Sequence, residues 1–309
     1  MNATTKLVAP LHTVKKDHRV VAELFLSSAE LLLATLADDS VDLVVTSPPY
    51  CMGMEYEKST SADDFLRDHK KIFPAIARVL KPGGSACWQV GHHVRNGIVT
   101  PLDALVYLAA KDAPKLLLRN RIVWTFGHGL HSPMRFSGRH ETILWFTKGS
   151  PYTFNLDSVR VPQKYPGKRH YKGEKRGELS GNPLGKNPSD VWDIPNVKAK
   201  HVEKTTHPCQ FPVAIPRRLV RALTNASALV VDPYMGSGSS AVAAILESRR
   251  FIGSDLEPKY VAIAKKRILA AMNNSVPVRP DIPPRVPKAG EAVSLLPSQF
   301  KVARRNHNG

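Results

Sequence analysis

The 309-residue sequence is short of cysteine, acidic charge and long apolar runs. Its three cysteines, Cys51, Cys87 and Cys209, are scattered and form no Cys-x-x-Cys pair. That spacing argues against a disulfide framework and a thiolate zinc site, and fits a reducing interior. No stretch approaches ~18 consecutive apolar residues, so no membrane-spanning helix is expected. Residues 1–19 mix charges without the apolar run of a secretory signal. Acidic residues number 26 against 44 lysines and arginines, a formal net charge of +18. A chain this basic, with 42% hydrophobic residues to build a core, is expected to meet a polyanion.

What is present is organised around Val41-Asp42-Leu43-Val44-Val45-Thr46-Ser47-Pro48-Pro49-Tyr50. Its β-branched apolar residues suit a strand covered on both faces. Two prolines then remove two N–H donors and end the ladder, leaving a stiff loop with a hydroxyl, carbonyls with no competing local donors and a flat ring. Open α/β sheets place ligand sites at that end of their strands.

Around it the pattern alternates. A strand is expected at residues 20–26 and a helix capped by Ser27 or Ser28 through Leu36. A helix beginning at Ser61 turns Phe65, Ile72, Phe73, Ile76, Val79 and Leu80 inward, and Pro82-Gly83-Gly84 ends it before a strand at residues 85–90. Another helix opens near Pro101. Strands at residues 121–126 and 141–147 flank a loop rich in Gly, Arg and His, which implies a mostly parallel sheet with an antiparallel edge hairpin. His128 and His131 share that loop, but further ligands are lacking and no metal is expected.

From Gly149 the composition shifts to Gly, Pro, Asn, Lys and Arg. Arg160, Lys164, Lys168, Arg169, Lys172, Lys175 and Arg176 interleave with Tyr165, His170 and Tyr171. A solvated linker would read this way, but so would a surface that tracks a nucleic-acid backbone. Regular structure resumes with a helix over residues 212–223, a strand over 228–232, a glycine turn, a helix over 241–248, a strand over 251–255 and a helix over 258–272. After Asn273 the prolines imply an extended tail.

Residues 232–255 form a strand, glycine turn, helix, strand and terminal acid. Gly236-Ser237-Gly238-Ser239-Ser240-Ala241 satisfies G-x-G-x-x-[GA], so a dinucleotide-binding dehydrogenase is one reading. No Gly-Lys-[Ser/Thr] follows, which argues against a P-loop. Asp232, directly before the turn, would repel a pyrophosphate but suit a cation, and Asp255 can hold ribose hydroxyls. A ribose-bearing cation with an amino-acid part meets these constraints, as S-adenosylmethionine does.

At this point the motifs resemble a known family. Ser47-Pro48-Pro49-Tyr50 is similar to the catalytic motif of amino-group DNA methyltransferases, and Asp232-Pro233-Tyr234-Met235-Gly236-Ser237-Gly238-Ser239 to their cofactor motif. Further agreeing blocks are Arg78 through Gly84, Arg139-His140-Glu141, His207 through Pro212, Phe251 through Asp255, and Pro258-Lys259-Tyr260. The catalytic block precedes the cofactor block, as in the family's beta group. The resemblance implies a Rossmann-like S-adenosylmethionine-dependent fold. Residues 20–148 would be its catalytic half, 149–200 a target-recognition region, 201–272 its cofactor half and 273–309 a basic tail.

It also implies roles. Ser47 and Pro48 would accept from the amino group, with Pro49 stiffening the loop and Tyr50 stacking on a flipped base. Asp232, Pro233, Tyr234, Gly236, Ser237, Gly238 and Ser239 would line the cofactor, Asp255 its ribose, with His207, Pro208 and Gln210 closing over it. Ser27 stands where the family often has an acid. Cys51 follows the motif tyrosine and is read as structural. Ser at the first motif position resembles cytosine-N4 enzymes, while adenine N6 is the alternative. Double-stranded DNA is the expected partner, with any restriction endonuclease a separate chain, in the cytoplasm of a prokaryote or phage host. A non-catalytic DNA-binding module and an RNA methyltransferase are further readings. Neither the recognition site nor the oligomeric state is legible.

Overall fold

The computed structural model describes residues 8–50, 61–127, 129, 131–165, 167–198 and 200–280. Cys51, Met52, Gly53, Met54, Tyr56, His128 and the tail beyond Pro280 lie outside the described residues. The chain opens with a hairpin of β1 (His12–Lys16) and β2 (Arg19–Leu26), then α1 (Ala29–Thr35) and β3 (Val41–Thr46). Next come α2 (Ala62–Val79), β4 (Leu80–Val90), a small hairpin of β5 (His92–Arg95) and β6 (Ile98–Pro101), and α3 (Leu102–Ala110). β7 (Leu116–Thr125), β8 (His140–Lys148) and β9 (Val191–Asp193) follow. The chain continues through α4 (Ala214–Leu223), β10 (Leu229–Asp232), α5 (Ser239–Leu246), β11 (Arg250–Asp255) and α6 (Pro258–Met272).

Local chemistry starts the helices where the sequence marks them. The Ser28 hydroxyl accepts from Leu31 N–H at 3.3 Å and caps α1. Ser61 accepts from Asp64 N–H at 3.1 Å and caps α2. Pro258 occupies the first turn of α6, where its missing N–H costs nothing.

Nine strands form one sheet in the order β1-β2-β11-β10-β3-β4-β8-β7-β9. The run from β2 to β4 is parallel, β4-β8-β7 is antiparallel, and β1 adds a second antiparallel edge. From Leu43 onward β3 residues alternate faces, and an irregularity between Val41 and Leu43 places Val41 with Val44. Leu43 and Val45 pack with α4, α5 and α6, whereas Val41 and Val44 pack with α1, α2 and α3. Both sheet faces are therefore covered, and that is why β3 is apolar almost throughout.

Three findings depart from the sequence reading. Pro82-Gly83-Gly84 does not separate helix from strand. β4 begins at Leu80, and those residues form an irregularity in its pairing with β3. Val191–Asp193, inside the stretch read from its composition as irregular, is an edge strand parallel to β7, and Trp124 Nε1 donates to Ile194 O beside it at 2.6 Å. The first residues after α6 turn back onto the core. Val276 and Val278 pack there, and Arg279 N–H donates to buried Glu203 at 3.1 Å.

Residues 160–188 separate as a second compact unit. They hold backbone bridges of their own, Val161 to Lys186 and Arg169 to Leu179. The basic stretch is thus a closed loop structure. Residues 151–159, expected within the same target-recognition region, belong to the main body. Tyr152 and Phe154 pack against Trp145 with ring centroids 5.7 and 5.6 Å apart, and Asn155 N–H donates to Ala222 O at 2.6 Å.

Candidate active site

β3 and β10 are paired neighbours, so the loops after Thr46 and Asp232 leave the sheet side by side. A hydrogen bond ties them: Thr46 Oγ1 donates to Asp232 Oδ1 at 2.5 Å. Tyr234 N–H donates to the same oxygen at 3.1 Å, and Ser240 Oγ donates to the other. Asp232 is completely buried. Burial pushes its pKa up to about 6, while the donors from Ser240, Thr46 and Tyr234 oppose that rise. The sequence reading gave Asp232 a direct contact with a cation. In the structure the carboxylate accepts three donors from inside and brackets the two loops. Tyr234 packs edge-on to Trp88, with centroids 6.0 Å apart.

Tyr50 ends the first loop with its ring half-buried and its hydroxyl fixed. The hydroxyl donates to Glu141 Oε2 at 3.3 Å and accepts from Gln89 Nε2 at 3.0 Å. Gln89 also donates to Glu141. Gln89 pairs with Ile143 across β4 and β8, so Glu141 is its diagonal neighbour on the same face. Burial pushes Glu141 up to about 7, and burial followed by the Glu141 charge holds Tyr50 well above the usual phenol range. Gly91 leaves room for this cluster. A Cβ there would lie 3.3 Å from both Glu141 and Tyr50.

In the glycine turn, Gly236 has φ +48° and Gly238 φ +75°. A Cβ on Gly236 would come within 2.9 Å of His207 Nε2, and one on Gly238 within 2.8 Å of Ala264 Cβ. Conformation and space therefore both require glycine. His207 packs on Tyr260 with centroids 4.3 Å apart, and burial lowers its pKa to about 4, so it is neutral at pH 7. Gln210 is buried and spends its amide internally. It accepts from Thr205 N–H and Oγ1 and donates to Glu203 O. It thereby shapes the loop that holds His207. Ser237 and Ser239 also point inward, both bonded to the buried Arg267 of α6. Pro233 is buried and Pro208 exposed.

Asp255 ends β11 beside this turn and accepts from Gly236 N–H at 3.0 Å and Glu257 N–H at 2.8 Å. Its pKa is raised, chiefly by burial. Ser27 lies next to it, its N–H bonded to Asp255 O at 3.2 Å and its buried hydroxyl without a partner. An unpaired buried hydroxyl beside a carboxylate marks a place for a polar ligand edge.

A family model for DNA methylases matches residues 41–266, from the first residue of β3 into α6. The chain belongs to this family of N6/N4 DNA methylases. The type II methyltransferase M.BglII of Bacillus subtilis is 47% identical over 234 residues, covering 75% of this chain and 65% of that relative. The match thus spans just under two thirds of that methylase. M.ScaI of Streptomyces caespitosus is 36% identical, covering 77% of this chain and 78% of its own. The PvuII DNA methyltransferase, named cytosine-N4-specific, shares the fold at a TM-score of 0.67 and 20% identity, covering 87% of this chain and 95% of its own. TTHA0409 of Thermus thermophilus, solved with S-adenosyl-L-methionine, matches at a TM-score of 0.58 and 25% identity, covering 81% and 95%.

The methylase motifs meet as the sequence reading expects, with the SPPY and glycine loops on adjacent strands. Gln89, Ser240 and Arg267 carry no local motif, and Glu141 is visible in the sequence only as the end of the Arg139-His140-Glu141 block. The methylase's basic residues 160–176 lie in the second compact unit, where Tyr165 and Tyr171 are 63% and 79% exposed. Lys164 and Lys172 sit over those rings at 5.5 and 5.4 Å. No described helix is long and apolar enough to cross a membrane.

Proposed function

We propose that this chain transfers a methyl group from S-adenosylmethionine to the exocyclic amine of a base flipped out of duplex DNA, with cytosine N4 as the acceptor. The observation that carries the reading is the 2.5 Å bond from Thr46 to Asp232, which fixes the amino-group loop against the glycine loop. The residues present fit the cofactor. Two obligate glycines open the turn, Asp255 keeps free carboxylate lone pairs for ribose hydroxyls, and the Ser27 hydroxyl awaits a partner. Bound there, S-adenosylmethionine supplies an electrophilic methyl group on a sulfonium.

The chain's own residues do the rest. An exocyclic amine is a weak nucleophile because its lone pair is delocalised into the ring. Ser47 Oγ and the Pro48 carbonyl accept the amino hydrogens and favour a tetrahedral nitrogen with its lone pair aimed at the methyl group. Tyr50 stacks on the flipped base, and its bonds to Gln89 and Glu141 fix the ring's angle. Asp232 positions both loops, and His207 closes over the cofactor while remaining neutral beside a cation. After methyl transfer the cationic nitrogen loses its proton to solvent, so no covalent enzyme intermediate is required.

Ser47 supports cytosine because a neutral hydroxyl replaces the carboxylate or amide usual in adenine enzymes. Adenine N6 is the second reading. The names of the type II relatives support a separate restriction endonuclease as a partner. Residues 160–176 supply phosphate contacts and stacking tyrosines for the target. Ser47→Ala and Tyr50→Ala should keep S-adenosylmethionine affinity and lose turnover. Full turnover in both variants would refute the assignment.

A further inference from the structure

We propose that the turn of residues 131–139 is a wedge that enters the base stack of duplex DNA and occupies the space left by the flipped base. The inference rests on the methyl-transfer reading above. Phe136 is 100% exposed and Met134 is 92% exposed, the highest values among the described large hydrophobics. Two apolar side chains this close together and held wholly in water suggest a surface that is covered during function.

The turn is built to hold that tip. Phe126 N–H donates to Arg139 O at 3.0 Å and closes its base. Ser132 N–H donates to Ser137 Oγ at 3.1 Å and closes its neck. Gly138 lies against His92 of β5, where a Cβ would come within 2.6 Å of the ring. The small β5–β6 hairpin therefore braces the turn. A tip fixed in advance loses less entropy on insertion than a loose one.

Its position suits DNA at the reacting base. The turn joins β7 to β8. Because β8 runs antiparallel to β4, it leaves the sheet at the carboxyl end of β4, next to the SPPY loop. Glu141, five residues after Phe136, bonds the Tyr50 hydroxyl. The chemistry also suits a polyanion. Residues 127–140 contain Arg135, Arg139 and three histidines, and no acid. Cations for phosphates beside a bare aromatic for the stack describe a nucleic-acid wedge better than a protein-docking patch.

A flipped base leaves a gap and costs stacking on both sides, and an inserted ring restores part of that stacking. Wild-type protein and labelled S-adenosylmethionine would first locate a methylated site in mixed-sequence duplex DNA. Then kcat/KM is measured on two synthetic duplexes carrying that site. One is fully paired, and the other has an abasic position opposite the target base. Phe136→Ala should lose on the order of 10- to 100-fold on the paired duplex and little on the pre-opened one. Phe136→Trp, which keeps an aromatic wedge, should stay close to wild type on both. No loss on the paired duplex, an equal loss on both, or a Trp variant as weak as the Ala variant would overturn the wedge. A wild type that labels no mixed-sequence duplex in the first step would instead overturn the methyl-transfer reading.

Discussion

Asp232 shows how a single buried carboxylate can hold together the loops of a site. Its two oxygens take donors from Thr46, Tyr234 and Ser240, at the end of a strand, in a loop and on a helix. Ser240→Ala would leave one buried oxygen without a donor and should cost roughly 1–3 kcal/mol, read as a lower denaturant midpoint. Glu141 gives a prediction in pH. Its folded-state value of about 7 exceeds the ordinary 4.5, so the fold favours the protonated form. Its contribution is complete below pH 4.5 and is lost as pH rises through about 7. The stability of wild type relative to Glu141→Gln should therefore fall by up to roughly 3 kcal/mol across that window and then level off. Parallel melting curves for the two proteins from about pH 4.5 to about 8.5 would contradict it. Turnover should rise as pH passes about 7, because ionised Glu141 accepts from Tyr50, and that limb should vanish in Glu141→Gln.

Among the elements, the glycine turn between β10 and α5 is the least tolerant of change. Gly238→Ala would face both φ +75° and a 2.8 Å approach to Ala264, and should cost about 1–3 kcal/mol and weaken cofactor binding, measured by calorimetry. This turn was legible because Gly spacing, a preceding strand and a following acid are local in sequence. The six helices and most strands were legible for the same reason. β1, β5, β6 and β9 were not. β1 is polar, exposed at its edge and begins beside charged residues, while the others are only three or four residues long. The Gln89–Glu141–Tyr50 cluster escaped because it depends on cross-strand register between residues 52 positions apart. The inward turn of Asp232 and Gln210 escaped because a motif gives residue types, not the direction a side chain takes.

For the whole molecule, the net charge of +18 predicts binding to duplex DNA that weakens steeply with salt. Residues 160–188 hold eight Lys and Arg against two Glu, so part of that slope should belong to them. Replacing Lys164, Lys168, Arg169, Lys172, Lys175 and Arg176 by Ala should flatten the log–log salt slope by about 0.9 for each phosphate that is no longer neutralised. An unchanged slope would return that stretch to the role of a linker. The proposed methyl transfer joins an amine to a methyl donor at the SPPY and glycine loops, bonded through Thr46 and Asp232. Its most direct test is incubation with methyl-labelled S-adenosylmethionine and mixed-sequence duplex DNA, followed by digestion to nucleosides. Label should enter the DNA and co-migrate with N4-methylcytosine. DNA that stays unlabelled while the protein binds the cofactor would contradict the account.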